Sequence, residues 1–358
     1  MNIIVDGFSI LYEYKEALIV FFISILGFGL LATKNIPSLE QRPGIRYLAA
    51  FSIGTVILSV VAYILIFLSH FWPFLLLPGG YAILFFAVII LLIEIRGSGF
   101  RTIGNAHTFW LTVTALLFLL LMRLAFLKYI LLPSYSDSPI HYQIVYGFLH
   151  PEAVNNAKLS LETIFSNYYH FGFHSLVAWL AYLTKINPAD AISLVGQLFL
   201  IIGPLSILFL VYKITNNGLA ALFAGVLAAI GWNMPAFAVN WGKFPAISSL
   251  AVLPSVFTFL WLYHNEKPMK YPKLFLMGIL LLGITLIHTR ILVCILLIII
   301  CFLVSKALPV SGTLNFFQAL RFTLLFLISL WPLLPMLEDF YNKPLLLFIL
   351  IVLLPFAL

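Results

Sequence analysis

Apolar stretches, most of them near twenty residues long and separated by short polar turns, recur along this chain. They fall at about 17–33, 47–70, 73–93, 108–132, 190–212, 218–238, 246–263, 273–288, 291–305, 322–337 and 344–358. A helix needs about 20 apolar residues to cross the hydrocarbon core, more if it tilts. The pattern predicts an all-α fold, a polytopic transmembrane helix bundle of about eleven spans. Composition agrees, with 63% of the residues hydrophobic and only 9% charged. A soluble domain carries about a quarter charged residues, so soluble, disordered and fibrous classes are excluded. Membrane lipid is then the first partner. The formal charge of +7 is read as loop lysines and arginines that fix orientation, not as a nucleic-acid surface. Cys294 and Cys301 lie seven apart in one run, on one helix face and too far apart to bridge. The acidic start lacks the basic segment of a cleavable signal peptide, so the first run is expected to be retained.

Loop charge sets the sides. Lys34, Arg42 and Arg46 follow the first run, and Arg96 and Arg101 follow the third, which places both loops in the cytoplasm. The stretch Gly172–Thr184 has about 13 residues and covers roughly 20 Å as a helix, short of a full crossing. It is read as re-entrant or interfacial. If it does not cross, Lys213, Lys267, Lys270, Lys273, Lys306 and Arg321 all become cytoplasmic. Most acids and half of the eight histidines then face outward. The chain is divided at 107: residues 1–107 form the N-terminal transmembrane helices, and 108–358 a core with an extracytoplasmic loop at 133–189. A multi-pass protein of a prokaryotic plasma membrane is expected.

The loop 133–189 is long enough to need its own structure, and short juxtamembrane helices are predicted within it. Ser138 as N-cap and Pro139 at the first helical position open one. Ile140, Ile144, Val145, Phe148 and Leu149 give it an apolar stripe. Asn187 and Pro188 cap the next span. Asp137 stands at the positive end of the first short helix, with His141 one turn along. An acid so placed is a general base or a cation ligand, or simply a capping residue. Trp241-Gly242-Lys243 forms a tight turn at interface depth, an anchor or a cationic subsite. His288-Thr289-Arg290 joins two runs with almost no loop, and holds Arg290 near the hydrocarbon edge, where a cation is costly and a functional candidate. Arg123 and Lys128 near the end of the fourth run admit the same two readings, phosphate contact or snorkelling. In the run 218–238, two rows of small residues (Ala220, Ala224, Ala228 and Ala221, Gly225, Ala229) predict close packing inside the bundle.

The order of Ser136-Asp137-Ser138-Pro139-Ile140-His141-Tyr142, Tyr168-Tyr169-His170-Phe171-Gly172-Phe173-His174, Asn240-Trp241-Gly242-Lys243-Phe244-Pro245 and Ile287-His288-Thr289-Arg290 resembles the GT-C superfamily of integral-membrane glycosyltransferases. It is most like prokaryotic members with YY-x-x-GFH and WG-[KR]-[FY]-P stretches. The resemblance covers roughly 108–300. It implies transfer of a sugar from a polyprenyl-phosphate carrier to an acceptor outside the cytoplasm. Asp137 and His141 would be catalytic, Asp137 as base or metal ligand. His174, Lys243, Trp241, His288 and Arg290 would bind substrate. The cofactor is unknown; a divalent cation, Mg or Mn, would sit on Asp137 if any is used. Two other classes fit a bundle with a polar face: a non-catalytic scaffold or inactive relative, and a lipid or small-molecule transporter. The transporter is disfavoured by the absence of acids in the middle of the runs.

Overall fold

A computed structural model describes residues 2–34, 43–98, 106–128, 137–150, 170–230, 241–265 and 271–307, with a few isolated positions between them. Among the described residues the regular structure is helical throughout. The elements are α1 (Ile3–Glu13), α2 (Lys15–Thr33), α3 (Pro43–Phe71), a 3₁₀ turn (Pro73–Leu75), α4 (Leu76–Ser98) and α5 (Ala106–Leu127). They continue with α6 (Asp137–Leu149), α7 (Gly172–Thr184), α8 (Pro188–Thr215), α9 (Gly218–Ile230), α10 (Phe244–Asn265), α11 (Tyr271–Ile287) and α12 (Ile291–Ala307). Six are long and apolar enough to cross a membrane: α2, most of α3, the 3₁₀ turn with α4, most of α5, α8 and most of α10. The expected runs at 322–337 and 344–358 lie outside the described residues. So do 151–169 of the long loop and 231–238 of the sixth run.

The chain forms two compact units. The first holds residues 1–155 and 170–288; the second holds 156–169 and 289–358. Helices from both sides of residue 107 share the first unit, where α3 packs with α8 and α10. Packing relies on small residues, as expected where lipid offers no hydrophobic drive between helices. A Cβ on Gly29 would strike the Ala50 backbone, and one on Gly54 the Ile25 carbonyl. These contacts set α2 and α3 antiparallel at close range. Gly196 faces Phe244 and Gly203 faces Ala251, so α8 and α10 run parallel.

Two ends of the first unit follow from its contacts. At one end, Arg46 Nη1 meets Glu94 Oε2 at 2.9 Å, Arg46 Nη2 donates to the Leu30 carbonyl, and its Nε donates to Thr33. The end of α2, the start of α3 and the end of α4 therefore share a level. At the other end, Asp6 pairs with Lys128 at 2.7 Å, and Tyr14 lies close enough to Asp190 for the two to interact electrostatically. The start of α8 thus lies beside the start of α2.

Helix α7 touches that second end twice. A Cβ on Gly172 would meet the Leu286 and Ile287 backbone, in the last turn of α11. Near its other end, Trp179 Nε1 donates to the Gly80 carbonyl at 3.4 Å, early in α4. The helix lies across the unit without running its length, and Gly172 through Ala181 are all buried. It is a packed element among α2, α3, α4, α8 and α11, more enclosed than an interfacial helix. Asn187 caps α8 by accepting from the Ala189 N–H, and Pro188 opens it, as the sequence predicts.

In α9 one small-residue row packs and the other does not. Ala221 and Gly225 are buried, whereas Ala220 is exposed along with Phe223, Leu227 and Ile230. The expectation that both rows are enclosed is corrected: α9 is peripheral among the described residues.

Candidate functional site

The polar face of the first unit is built from three short pieces of chain. Helix α6 begins at Asp137, so Asp137 and Ser138 lie within the first turn and Ser138 is not the cap. The inward stripe of α6 is Ser138, His141 and Val145, while Ile140 and Tyr146 are exposed. The face toward the protein thus carries the imidazole beside Val145, and the exposed residues are mixed: Pro139, Ile140, Gln143 and Tyr146.

The second piece is the turn Trp241-Gly242-Lys243. Gly242 has φ +70°, a conformation L side chains rarely adopt, and its Cα sits against Ser138, where a Cβ would collide with the hydroxyl. The turn is therefore seated on the first turn of α6. The next residue, Phe244, is fully buried and stacks on Phe173 of α7 at 6.4 Å and 13°. Lys243 Nζ lies 4.9 Å from the centre of the Trp241 ring, a cation–π contact. Both residues are partly exposed.

The third piece is α7 with the end of α11. His141 Nδ1 and His174 Nε2 are 2.9 Å apart, and His174 Nδ1 is 3.3 Å from the His170 carbonyl. The rings of His170 and His288 approach to 4.2 Å. Four histidines thus form one cluster, and Asp137 acts on it electrostatically through His141. Burial pushes His141 down to about 4, opposed by the Asp137 carboxylate and the Gly242 backbone. Burial also holds His174 well below its ordinary value, and positive charge on His141 or His288 would lower it further. At neutral pH the pair is uncharged: His174 donates from Nδ1 to the His170 carbonyl, which leaves its Nε2 to accept from the His141 Nδ1–H.

His174 is fully buried and has both ring nitrogens engaged, one on His141 and one on the His170 carbonyl. His170, four residues before His174, was missed; its spacing of one helical turn was the available signal. Arg290 opens the second unit and is exposed, its carbonyl accepting from the Val293 N–H. Among the described residues no three His, Cys, Asp or Glu side chains group in a way that could hold a metal ion.

Helices of spanning length around a polar, histidine-lined end define a multi-pass membrane protein with a site at the end of its bundle. The chain belongs to DUF6541, a family of unknown function, which its residues 39–337 match. No curated protein and no solved structure matches it.

Proposed function

We propose that the protein is a membrane glycosyltransferase that moves a sugar from a polyprenyl-phosphate carrier to an acceptor on the extracytoplasmic side. One observation supports this best: Asp137, the His141–His174 pair and the Trp241–Lys243 turn are gathered at one end of the unit. Helix ends there carry Asp6, Glu13, Asp137 and Asp190 beside Lys15, Lys128, Lys185 and Lys243, while the opposite ends carry Lys34, Arg46, Arg96, Lys213 and Lys273 beside Glu94. The positive-inside rule turns the basic end to the cytoplasm and the histidine end outward. Some eleven spans complete the bundle in this reading.

In the proposed reaction the acceptor hydroxyl loses its proton to the Asp137 carboxylate as its oxygen bonds to the sugar's anomeric carbon. The bond from that carbon to the carrier phosphate breaks, and the phosphate leaves with the electron pair. His141, a turn beyond Asp137 and fixed by His174, is uncharged and orients the acceptor hydroxyl by accepting from it at Nε2. Lys243 lies at the rim, where negative charge grows on the leaving phosphate. The reading does not depend on Arg290.

The test is transfer of labelled sugar from a panel of polyprenyl-phosphate sugars by the purified protein in lipid nanodiscs. Asp137→Asn keeps the shape and removes the base, and a rate loss of about 10²–10⁴ is expected. Transfer by wild type and Asp137→Asn at equal rates sinks the assignment. No transfer from any donor by folded wild type favours the scaffold reading.

A further inference from the structure

The first unit contains a second feature, remote from the histidine cluster in character and chemistry. An apolar cavity of about 180 Å³ lies between α5, α8 and α9. On α5 its lining runs from Thr112 to Met122, ten residues or about 15 Å of helix rise. That is half of a hydrocarbon core about 30 Å thick, the depth of one leaflet. Phe118 lines the cavity and is exposed, so the space opens sideways, toward what surrounds the bundle.

A cation stands at one limit of this cleft. Arg123 follows Met122 and donates from Nη2 to the carbonyl of Ala229 at 3.1 Å, and both Met122 and Ala229 line the cavity. Its Nε is buried with no hydrogen-bond partner among the described residues. Arg123 lies about one turn from the end of α5, the level at which Lys128 meets Asp6. A guanidinium with a buried, unmatched donor is costly in hydrocarbon and is suited to a phosphate oxygen. Linking α5 to α9 would need only the one bond to Ala229.

We infer that this cleft holds one acyl chain of an anionic membrane phospholipid, with the phosphate on Arg123. The cation selects the charge of the headgroup, and the one-leaflet depth selects a phospholipid chain over a longer isoprenoid. The inference does not rest on the transferase reading, and no sugar donor enters its test.

The full-length protein is reconstituted in phosphatidylcholine nanodiscs doped with phosphatidylglycerol carrying a diazirine in its acyl tail. Illumination and peptide mapping should place adducts within 112–122 and 222–230. Excess unlabelled phosphatidylglycerol should suppress them, and excess phosphatidylcholine should not; this arm needs no variant. Arg123→Gln should reduce labelling about tenfold, the scale of a lost hydrogen bond to a charged group. Ala115→Phe, which fills the cleft and leaves Arg123 in place, should also reduce it. Equal labelling by a phosphatidylcholine probe, or adducts unchanged in Arg123→Gln, overturns the inference. Displacement by polyprenyl phosphate at lower concentration than by phosphatidylglycerol overturns the stated occupant.

Discussion

Gly172→Ala is the smallest change that loads the contact beneath the histidine cluster. The added Cβ would lie 2.7 Å from the Leu286 carbonyl carbon and 2.9 Å from the Ile287 nitrogen. Carbon atoms pack at about 3.5–4.0 Å, and backbone in the last turn of α11 cannot rotate away as a side chain would. Helix α7 must therefore retreat by several tenths of an ångström or more. Overpacking of this kind costs about 1–3 kcal/mol. The same retreat strains the 2.9 Å contact between His141 and His174, whose loss adds about 1 kcal/mol. The control is Gly278→Ala, at a position where a Cβ meets nothing within 4 Å. There the better helix propensity of alanine should stabilise by up to about 1 kcal/mol. Thermal unfolding midpoints in one detergent, measured at one scan rate, compare the three proteins. The expected order is Gly278→Ala at or above wild type, with Gly172→Ala well below. A Gly172→Ala midpoint equal to wild type would refute the close approach of α7 and α11.

Stability should fall as pH drops from about 6.5 to about 4. In that window the unfolded chain binds protons that native His141, held near 4 by burial, and native His174, held well below its ordinary value, do not. The His141 share is on the order of 3 kcal/mol. His141→Gln should reduce the slope in a denaturation series without abolishing it, and a slope unchanged by the substitution counts against a buried neutral imidazole. Glu94→Gln should destabilise by about 3–5 kcal/mol, since it strands Arg46 in a site where both side chains are nearly buried. The double variant Arg46→Met/Glu94→Leu should recover most of that loss, and a double variant no better than the single one contradicts the account of this pair.

Element type was legible because run length alone answers the question in lipid. The caps Asn187-Pro188 and the shortness of Gly172–Thr184 were legible for local reasons of the same sort. Facing was not. With apolar surroundings on both sides, periodicity no longer tells inside from outside, so the inward stripe of α6 and the exposed row of α9 ran against the sequence pattern. Asp137 and His141 could be paired from their spacing of four. The bond from His141 to His174 spans 33 residues of chain and appears only when α6 and α7 pack. Arg46 and Glu94 lie further apart still, and nothing local announces their meeting.

The functional reading depends most on the histidine end facing outward. In a Cys294→Ala/Cys301→Ala background, single cysteines replace Lys185, exposed between α7 and α8, and Asn265, at the far end of α10. Intact cells are treated with a membrane-impermeant maleimide before and after permeabilisation. Lys185→Cys should label in intact cells, and Asn265→Cys only once the membrane is opened. Labelling of Asn265→Cys from outside, with Lys185→Cys protected until permeabilisation, would put the Asp137 site in the cytoplasm and contradict the account.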